Sequence, residues 1–330
     1  MNKVAVLGAG SWGTALALQL ARNNLNVHLW GHLKEDIHKL QQDKQNSAFL
    51  PGFEFPLNLI PSSELVDCIR DADEILIVVP SHAFSSLIDQ IKPLLKSTQS
   101  ISWATKGLSP QTNNLLSEVC KQQLGNDFSF AVVTGPTFAL EVAEGLPTAI
   151  VIASDDEEHA QKLSAYLKDD KFRPYTSNDM IGVQVGGAAK NVMAIAAGIS
   201  DGLGFGANSR AALITRGLAE ITRFGVTLGG QPETFMGLAG LGDLVLTCTD
   251  NKSRNRRFGL ALAAGDSIEH ARKVIGQEVE GISTTREIFL KARDINVEMP
   301  ITEQAYQVLF EGKSPVDAVQ DLLARKTGSE

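Results

Sequence analysis

One turn near the N-terminus constrains this chain more than any other feature. Gly8-Ala9-Gly10-Ser11-Trp12-Gly13 fits G-x-G-x-x-G and lies between the apolar run Val4–Leu7 and the helical pattern Trp12–Asn23. Strand, tight turn and helix in that order make a dinucleotide site. Gly8 permits the turn, Gly10 lets a pyrophosphate approach the backbone, and Gly13 lets helix and strand pack closely. The helix then turns free N–H groups and its positive end toward the phosphates. Without that context the pattern is weak, because the chain holds 29 glycines. Lys3 followed by Val4–Ala21 also has the outline of a signal peptide, but the three glycines interrupt it and no cleavage site follows.

The second strand, Val27–Trp30, bears on which nucleotide is bound. An NAD-selective site has Asp or Glu about 20 residues on, for the ribose 2′-hydroxyl. Here Leu29-Trp30-Gly31-His32-Leu33-Lys34 carries no acid. His32 and Lys34 suit a 2′-phosphate, so NADP(H) and NAD(H) both stay open. An ordinary exposed loop would look the same.

The alternation continues through strands at Ile75–Val79, Ile101–Ala104, Phe130–Val133, Ala149–Ala153 and Arg173–Thr176, with helices at Lys34 onward, Phe84–Leu95, Thr112–Leu124 and Glu157–Leu167. A Pro- and Phe-rich loop spans Phe49–Pro56. Strand–helix alternation of this kind predicts a parallel sheet covered on both faces. After Asp179 only helical patterns follow: Ile181–Ile199, Ser209–Thr227, Glu233–Leu238, a stretch after Asn255, Ser267–Ile275, Thr284–Ala292, Ile301–Phe310 and Pro315–Ala324. The expected architecture is an α/β Rossmann-type parallel-sheet domain over residues 1–180 and an all-α domain over 181–330. The tail Lys326–Glu330 is short and polar. At roughly 150 residues per domain, 330 residues fit that division.

Composition removes other classes. The chain is 43% hydrophobic and 21% charged, as globular proteins are. A net charge of -8 argues against a dedicated nucleic-acid binder or a polybasic membrane-surface protein. No run reaches the ~18 apolar residues of a transmembrane helix. Cys68, Cys120 and Cys248 are odd in number and widely spaced, which fits reduced cytosolic thiols. The six histidines show no metal-ligand spacing, and no metal is expected.

Several polar residues stand out against apolar surroundings. Lys190 lies in Gly186-Gly187-Ala188-Ala189-Lys190-Asn191-Val192-Met193-Ala194. A lysine is rarely buried without a partner or a task, and desolvation brings its pKa toward neutral. A lysine snorkelling from a helix end is the structural alternative. Asn191 beside it suits a substrate hydroxyl. Lys106, in Ala104-Thr105-Lys106-Gly107, and Gly135-Pro136-Thr137 each follow a strand, where α/β sheets bind ligands. Asp243, within Gly240-Leu241-Gly242-Asp243-Leu244, needs a partner, and Lys190 is the obvious one; a helix N-cap would also fit. Ser253-Arg254-Asn255-Arg256-Arg257 carries a phosphate-clamp pattern, unless it is a solvated charged loop. Glu280 is a weaker candidate.

Together these segments resemble one family, the bacterial-type NAD(P)-dependent glycerol-3-phosphate dehydrogenases. The resemblance spans nearly the whole chain, through GAGSWGTALA at Gly8–Ala17, ATKG at Ala104–Gly107, GP-T at Gly135–Thr137, AAKNV at Ala188–Val192, the GLGDL run ending at Leu244, SRN at Ser253–Asn255 and VEG at Val279–Gly281. It implies reversible reduction of dihydroxyacetone phosphate to sn-glycerol 3-phosphate by NADPH or NADH, in the cytoplasm, for phospholipid synthesis, and at family level a homodimer. By the same resemblance Ser11, Trp12, His32, Lys106, Ala139, Arg254, Val279 and Glu280 lie at the cofactor. Lys106, Gly135, Thr137, Lys190, Asn191, Asp243, Ser253, Arg254 and Asn255 lie at the substrate, with Lys190 as proton donor and acceptor. Glu278 stands where the family is expected to carry an apolar residue, which leaves the cofactor contact there open. Alternative readings are a two-domain 3-hydroxyacid or ketopantoate-type reductase and an NADP(H)-sensing module without turnover.

Overall fold

The computed structural model describes residues 2–325, so the tail Lys326–Glu330 falls outside it. The strands are β1 (Lys3–Leu7), β2 (Asn26–Trp30), β3 (Gln45–Asn46), β4 (Leu50–Glu54), β5 (Leu59–Ser62), β6 (Glu74–Ile77), β7 (Ser100–Trp103), β8 (Phe130–Thr134), β9 (Thr148–Ser154) and β10 (Phe172–Ser177). Between them run α1 (Ser11–Arg22), α2 (Lys34–Asp43), α3 (Leu65–Ile69), α4 (Ser81–Ile91), α5 (Leu116–Leu124), α6 (Ala139–Glu144) and α7 (Glu157–Leu167). Eight strands form one sheet, in the order β10-β9-β8-β7-β6-β1-β2-β5.

β1 and β6 are the buried centre, apolar over Val4–Leu7 and Ile75–Ile77, and helices cover both faces. Strand order reverses at this pair: β2 and β5 lie to one side of β1, and β6, β7 and β8 to the other. The crevice at such a switch point, beyond the strands' carboxyl ends, is where nucleotides bind. The glycine turn leaves β1 at that place.

The sheet half differs from the sequence expectation in strand direction and in its short elements. The sheet is not wholly parallel, since β9 pairs antiparallel with β8, Ala131 facing Ser154 and Thr134 facing Val151. The linking helix α6 has six residues and spans about 9 Å. The strand β8 has five and spans about 17 Å. So short a helix does not carry the chain back for a parallel return. The segment expected as a Pro- and Phe-rich loop contains β4, which forms a small hairpin with β3.

The second half holds α8 (Met180–Gly202), α9 (Gly206–Thr227), α10 (Pro232–Phe235), α11 (Asp243–Thr249), α12 (Arg254–Ala263), α13 (Ile268–Ile275), α14 (Glu280–Asp294), α15 (Pro300–Phe310) and α16 (Pro315–Ala324). The expected helix Glu233–Leu238 stops at Phe235, and one π-helical turn, Leu238–Gly242, leads into α11. α8 is the axis, with α9, α11, α12 and α14 packed around it. Asp179 starts it: Oδ1 accepts from the Gly182 N–H at 2.8 Å, while Oδ2 accepts from the Gln231 N–H and the Thr234 hydroxyl. Among the described residues α8 alone is long and apolar enough to cross a membrane, yet it is almost wholly buried inside the protein. It is a core helix.

α8 and α12 meet backbone to backbone. A Cβ on Gly198 would lie 2.1 Å from the Arg256 carbonyl oxygen, and one on Gly259 would lie 2.1 Å from that of Ile195. Both approaches are far inside van der Waals contact. Gly259→Ala therefore forces the helices apart and should cost roughly 1–3 kcal/mol. Urea unfolding checks this, and an unchanged midpoint would contradict the contact.

Candidate active site

The glycine turn divides its labour as the sequence implies. Gly8 has φ +133°, and a Cβ there would lie 2.3 Å from the Val78 carbonyl oxygen, just beyond β6. A Cβ on Gly13 would lie 1.9 Å from the Gly8 carbonyl oxygen, so only glycine lets α1 close onto the turn. Gly10 meets nothing within 4 Å and faces open space. No side chain caps α1, which leaves its first N–H groups for a phosphate. Ser11 donates its hydroxyl to the Phe49 carbonyl at 2.8 Å. The half-buried Trp12 packs on the sheet core, with its indole N–H buried and unpartnered. His32 lies exposed beyond β2. Lys34 is exposed beside it, with Nζ 3.1 Å from a Glu64 carboxylate oxygen. These residues fit a dinucleotide.

Other sequence candidates reach the same edge. Lys106 follows β7, where the Thr105 hydroxyl donates to the Val79 carbonyl at 2.7 Å. Gly135, at φ +144°, follows β8, and Thr137 Oγ1 donates back to its carbonyl. Ala139 opens α6 and packs against the sheet core.

At the centre a single carboxylate holds two ammonium groups. Lys190, midway along α8, donates to Asp243 Oδ1 at 2.5 Å, and Lys106 donates to Oδ2 at 2.9 Å. Side-chain exposure is 7% for Lys190, 12% for Lys106 and 0% for Asp243. Thr247, one turn beyond Asp243 on α11, donates its hydroxyl to the Asp243 carbonyl at 2.6 Å and accepts from Lys190 at 2.9 Å. Burial pushes the Lys190 ammonium down to about 8; Asp243 opposes the shift and the neighbouring Lys106 adds to it. The cluster carries a net positive charge and a proton that can leave near neutral pH.

Beside it, Ser253 caps α12 by accepting from the Arg256 N–H at 3.2 Å. Asn255 is engaged at both ends of its amide: Nδ2 donates to Asn191 Oδ1 at 2.9 Å, and Oδ1 accepts from the Gly281 N–H at 2.9 Å. Its work here is to join α8, α12 and α14, and the amide N–H left without a partner is that of Asn191. Arg254 is half-buried, with one weak contact to Gln277 at 3.4 Å. Arg256 is no solvated loop residue, for it is buried against Asp201 at 2.7 Å; Arg257 is exposed. Val279 is buried and precedes Glu280, whose carboxyl is raised chiefly by burial, against the pull of Arg254, Lys106 and Lys190. The pattern left Thr247 unnoticed, although its spacing of four from Asp243 on a helix was a usable signal.

Comparison with known proteins agrees over both halves. The family model described as NAD-dependent glycerol-3-phosphate dehydrogenase N-terminus matches residues 3–160, and its C-terminus counterpart matches residues 179–320. A glycerol-3-phosphate dehydrogenase (NAD(P)+) of Shewanella halifaxensis is 55% identical over 328 residues, 99% of this chain and 97% of that protein. The crystal structure of glycerol-3-phosphate dehydrogenase from Coxiella burnetii superposes with a TM-score of 0.96 at 47% identity, covering 98% of this chain and 99% of that one. A PanE/ApbA family ketopantoate reductase from Ralstonia eutropha shares the fold alone, with a TM-score of 0.60 at 16% identity over 97% of this chain and 100% of that one.

Asp243→Asn tests the central charge balance. It leaves two buried lysines facing each other without a counter-charge, which should cost about 3–5 kcal/mol while both are protonated. The folded-state pKa of Lys190, already lowered by burial, then falls further below the unfolded one, so the variant gains stability as pH rises. The expected deficit against wild type, measured by urea unfolding, is larger at pH 6 than at pH 9.

Proposed function

The chain belongs to the NAD-dependent glycerol-3-phosphate dehydrogenase family, and from that membership we propose that it interconverts dihydroxyacetone phosphate and sn-glycerol 3-phosphate with NADPH or NADH. The observation that carries this is the Lys190–Asp243–Lys106 cluster, which supplies a movable proton and net positive charge. Residues 1–180 hold the nucleotide and residues 181–330 contribute most of the substrate site. The three buried, unpaired thiols are consistent with a cytoplasmic enzyme feeding phospholipid synthesis.

When bound, the reduced nicotinamide supplies the hydride that reaches C2 of the substrate. Lys190 Nζ gives its proton to the C2 oxygen, and in the reverse direction takes it from the C2 hydroxyl. Asp243 and Thr247 fix the direction of that ammonium group, and Lys106 stabilises negative charge on the same oxygen. Arg254 holds the phosphate, so binding energy remote from the reaction positions C2. Asn191 offers its free amide N–H, and Gly135, Thr137, Ser253 and Asn255 shape the pocket. Ser11, Trp12, His32, Ala139, Val279 and Glu280 bound the nucleotide.

Absorbance at 340 nm, followed with dihydroxyacetone phosphate and each reduced cofactor, tests the reading. Turnover of ketopantoate but not of the triose phosphate would overturn it. Lys190→Met leaves Asp243 paired with Lys106, so the fold should survive. The rate should fall about 10²–10⁴-fold, with cofactor affinity by fluorescence titration unchanged. Reduction needs protonated Lys190, so wild-type kcat/KM for dihydroxyacetone phosphate should fall as pH rises through about 8. Oxidation of glycerol 3-phosphate should rise over the same interval. Arg254→Ala should raise KM for dihydroxyacetone phosphate by roughly 10- to 100-fold, the loss of one charge-assisted contact.

A further inference from the structure

α14 lies along the connection between β7 and α5 and meets it at successive turns. Glu280, Thr284, Glu287 and Lys291 share one stripe of the helix. Glu280 lies within electrostatic reach of Lys106. A Cβ built on Gly107 would come 3.5 Å from Thr284 Oγ1. Glu287 Oε2 accepts the Leu108 N–H at 3.2 Å, and Lys291 donates to Asn114 Oδ1 at 3.0 Å.

Glu287 is the unusual member. It is 2% exposed, and among the described residues its carboxylate makes one hydrogen bond, to Leu108, and Oε1 has no partner. Burial lifts its carboxyl to about 7. A carboxylate so poorly satisfied is a costly way to hold a helix against a loop, and an apolar side chain would stabilise the contact better. What the carboxylate adds is an acceptor at the backbone two residues beyond Lys106, next to Gly107, whose φ of +128° is one that glycine adopts readily.

We propose that Glu287 is a positioning residue that fixes the Lys106 loop through the Leu108 N–H, and so sets where the Lys106 ammonium stands against Asp243 and the substrate. The inference rests on the reading of Lys106 as a substrate-contacting residue. A displacement near 1 Å is enough to cost about 10²-fold in rate.

A double-mutant cycle tests it, with Glu287→Leu, Lys106→Met and the pair, each assayed for kcat, KM for dihydroxyacetone phosphate and cofactor affinity. Glu287→Leu should lower kcat by about tenfold or more with cofactor affinity unchanged. Glu287→Gln, whose amide oxygen still accepts from Leu108, should restore most of the rate. In the Lys106→Met background Glu287→Leu should add little, because the group it positions is gone. An equal loss in both backgrounds, or no loss in either, overturns the positioning role. Unchanged kinetics in Lys106→Met alone overturns the reading of Lys106 instead. Should Glu287→Leu fail to fold, Glu287→Asp carries the same cycle: it keeps the charge, falls one methylene short of Leu108, and should reproduce the kcat loss.

Discussion

Asp243 has no exposed side-chain surface, so its charge must be answered from inside the protein. The two groups that answer it come from distant parts of the chain, Lys106 from the end of a sheet strand and Lys190 from the middle of a core helix. Neither ammonium would be tolerated there alone, and neither would the carboxylate. The three groups hold the sheet and the helices in one relative position, and much of the remaining architecture serves to deliver them. Asp179 starts α8 so that Lys190 faces α11, the π-helical turn brings Asp243 to it, and Thr247 fills the coordination left at Lys190.

Close backbone approach is the means by which these elements reach one another. Gly186 and Gly187 admit the Ala239 carbonyl and the Thr134 hydroxyl against α8, and Gly240 lies on the Phe235 carbonyl. Gly281 makes room for Asn255, which links α8, α12 and α14 beside Lys190. The many glycines of this chain are thus packing residues as often as turn residues. At the nucleotide end the same element has a third use, for Gly10 keeps a space clear instead of filling one.

The local features were the legible ones. The apolar core of β1, the helix after it, the roles of the three fingerprint glycines and the buried character of α8 follow from periodicity and residue size, which neighbours in sequence report directly. The Lys190–Asp243 pairing was also legible, because each is an ion stranded in apolar surroundings and such ions need each other. Other features were not. The direction of β9 depends on the length of α6, and α11 is too short to show a period. The contact of Lys106 with Asp243 spans 137 positions, and that of Glu287 with Leu108 spans 179, beyond the reach of any spacing rule. The resemblance to a family named the residues of the site without saying which touches which. It placed Asn255 with the substrate residues, and the fold shows the same amide bridging Asn191 and Gly281.

Strand–turn–helix chemistry and binary patterning were enough to specify a nucleotide turn, a sheet followed by helices, and a set of polar residues too costly to bury without purpose. These depend on interactions among residues close in sequence, whose energies are set before the chain is compact. Which charges neutralise which, how far the Lys190 proton is loosened, and what holds the Lys106 loop were decided only when the helices closed over the sheet. Desolvation and Coulomb energies depend on distance and burial, and both quantities exist only in the folded chain.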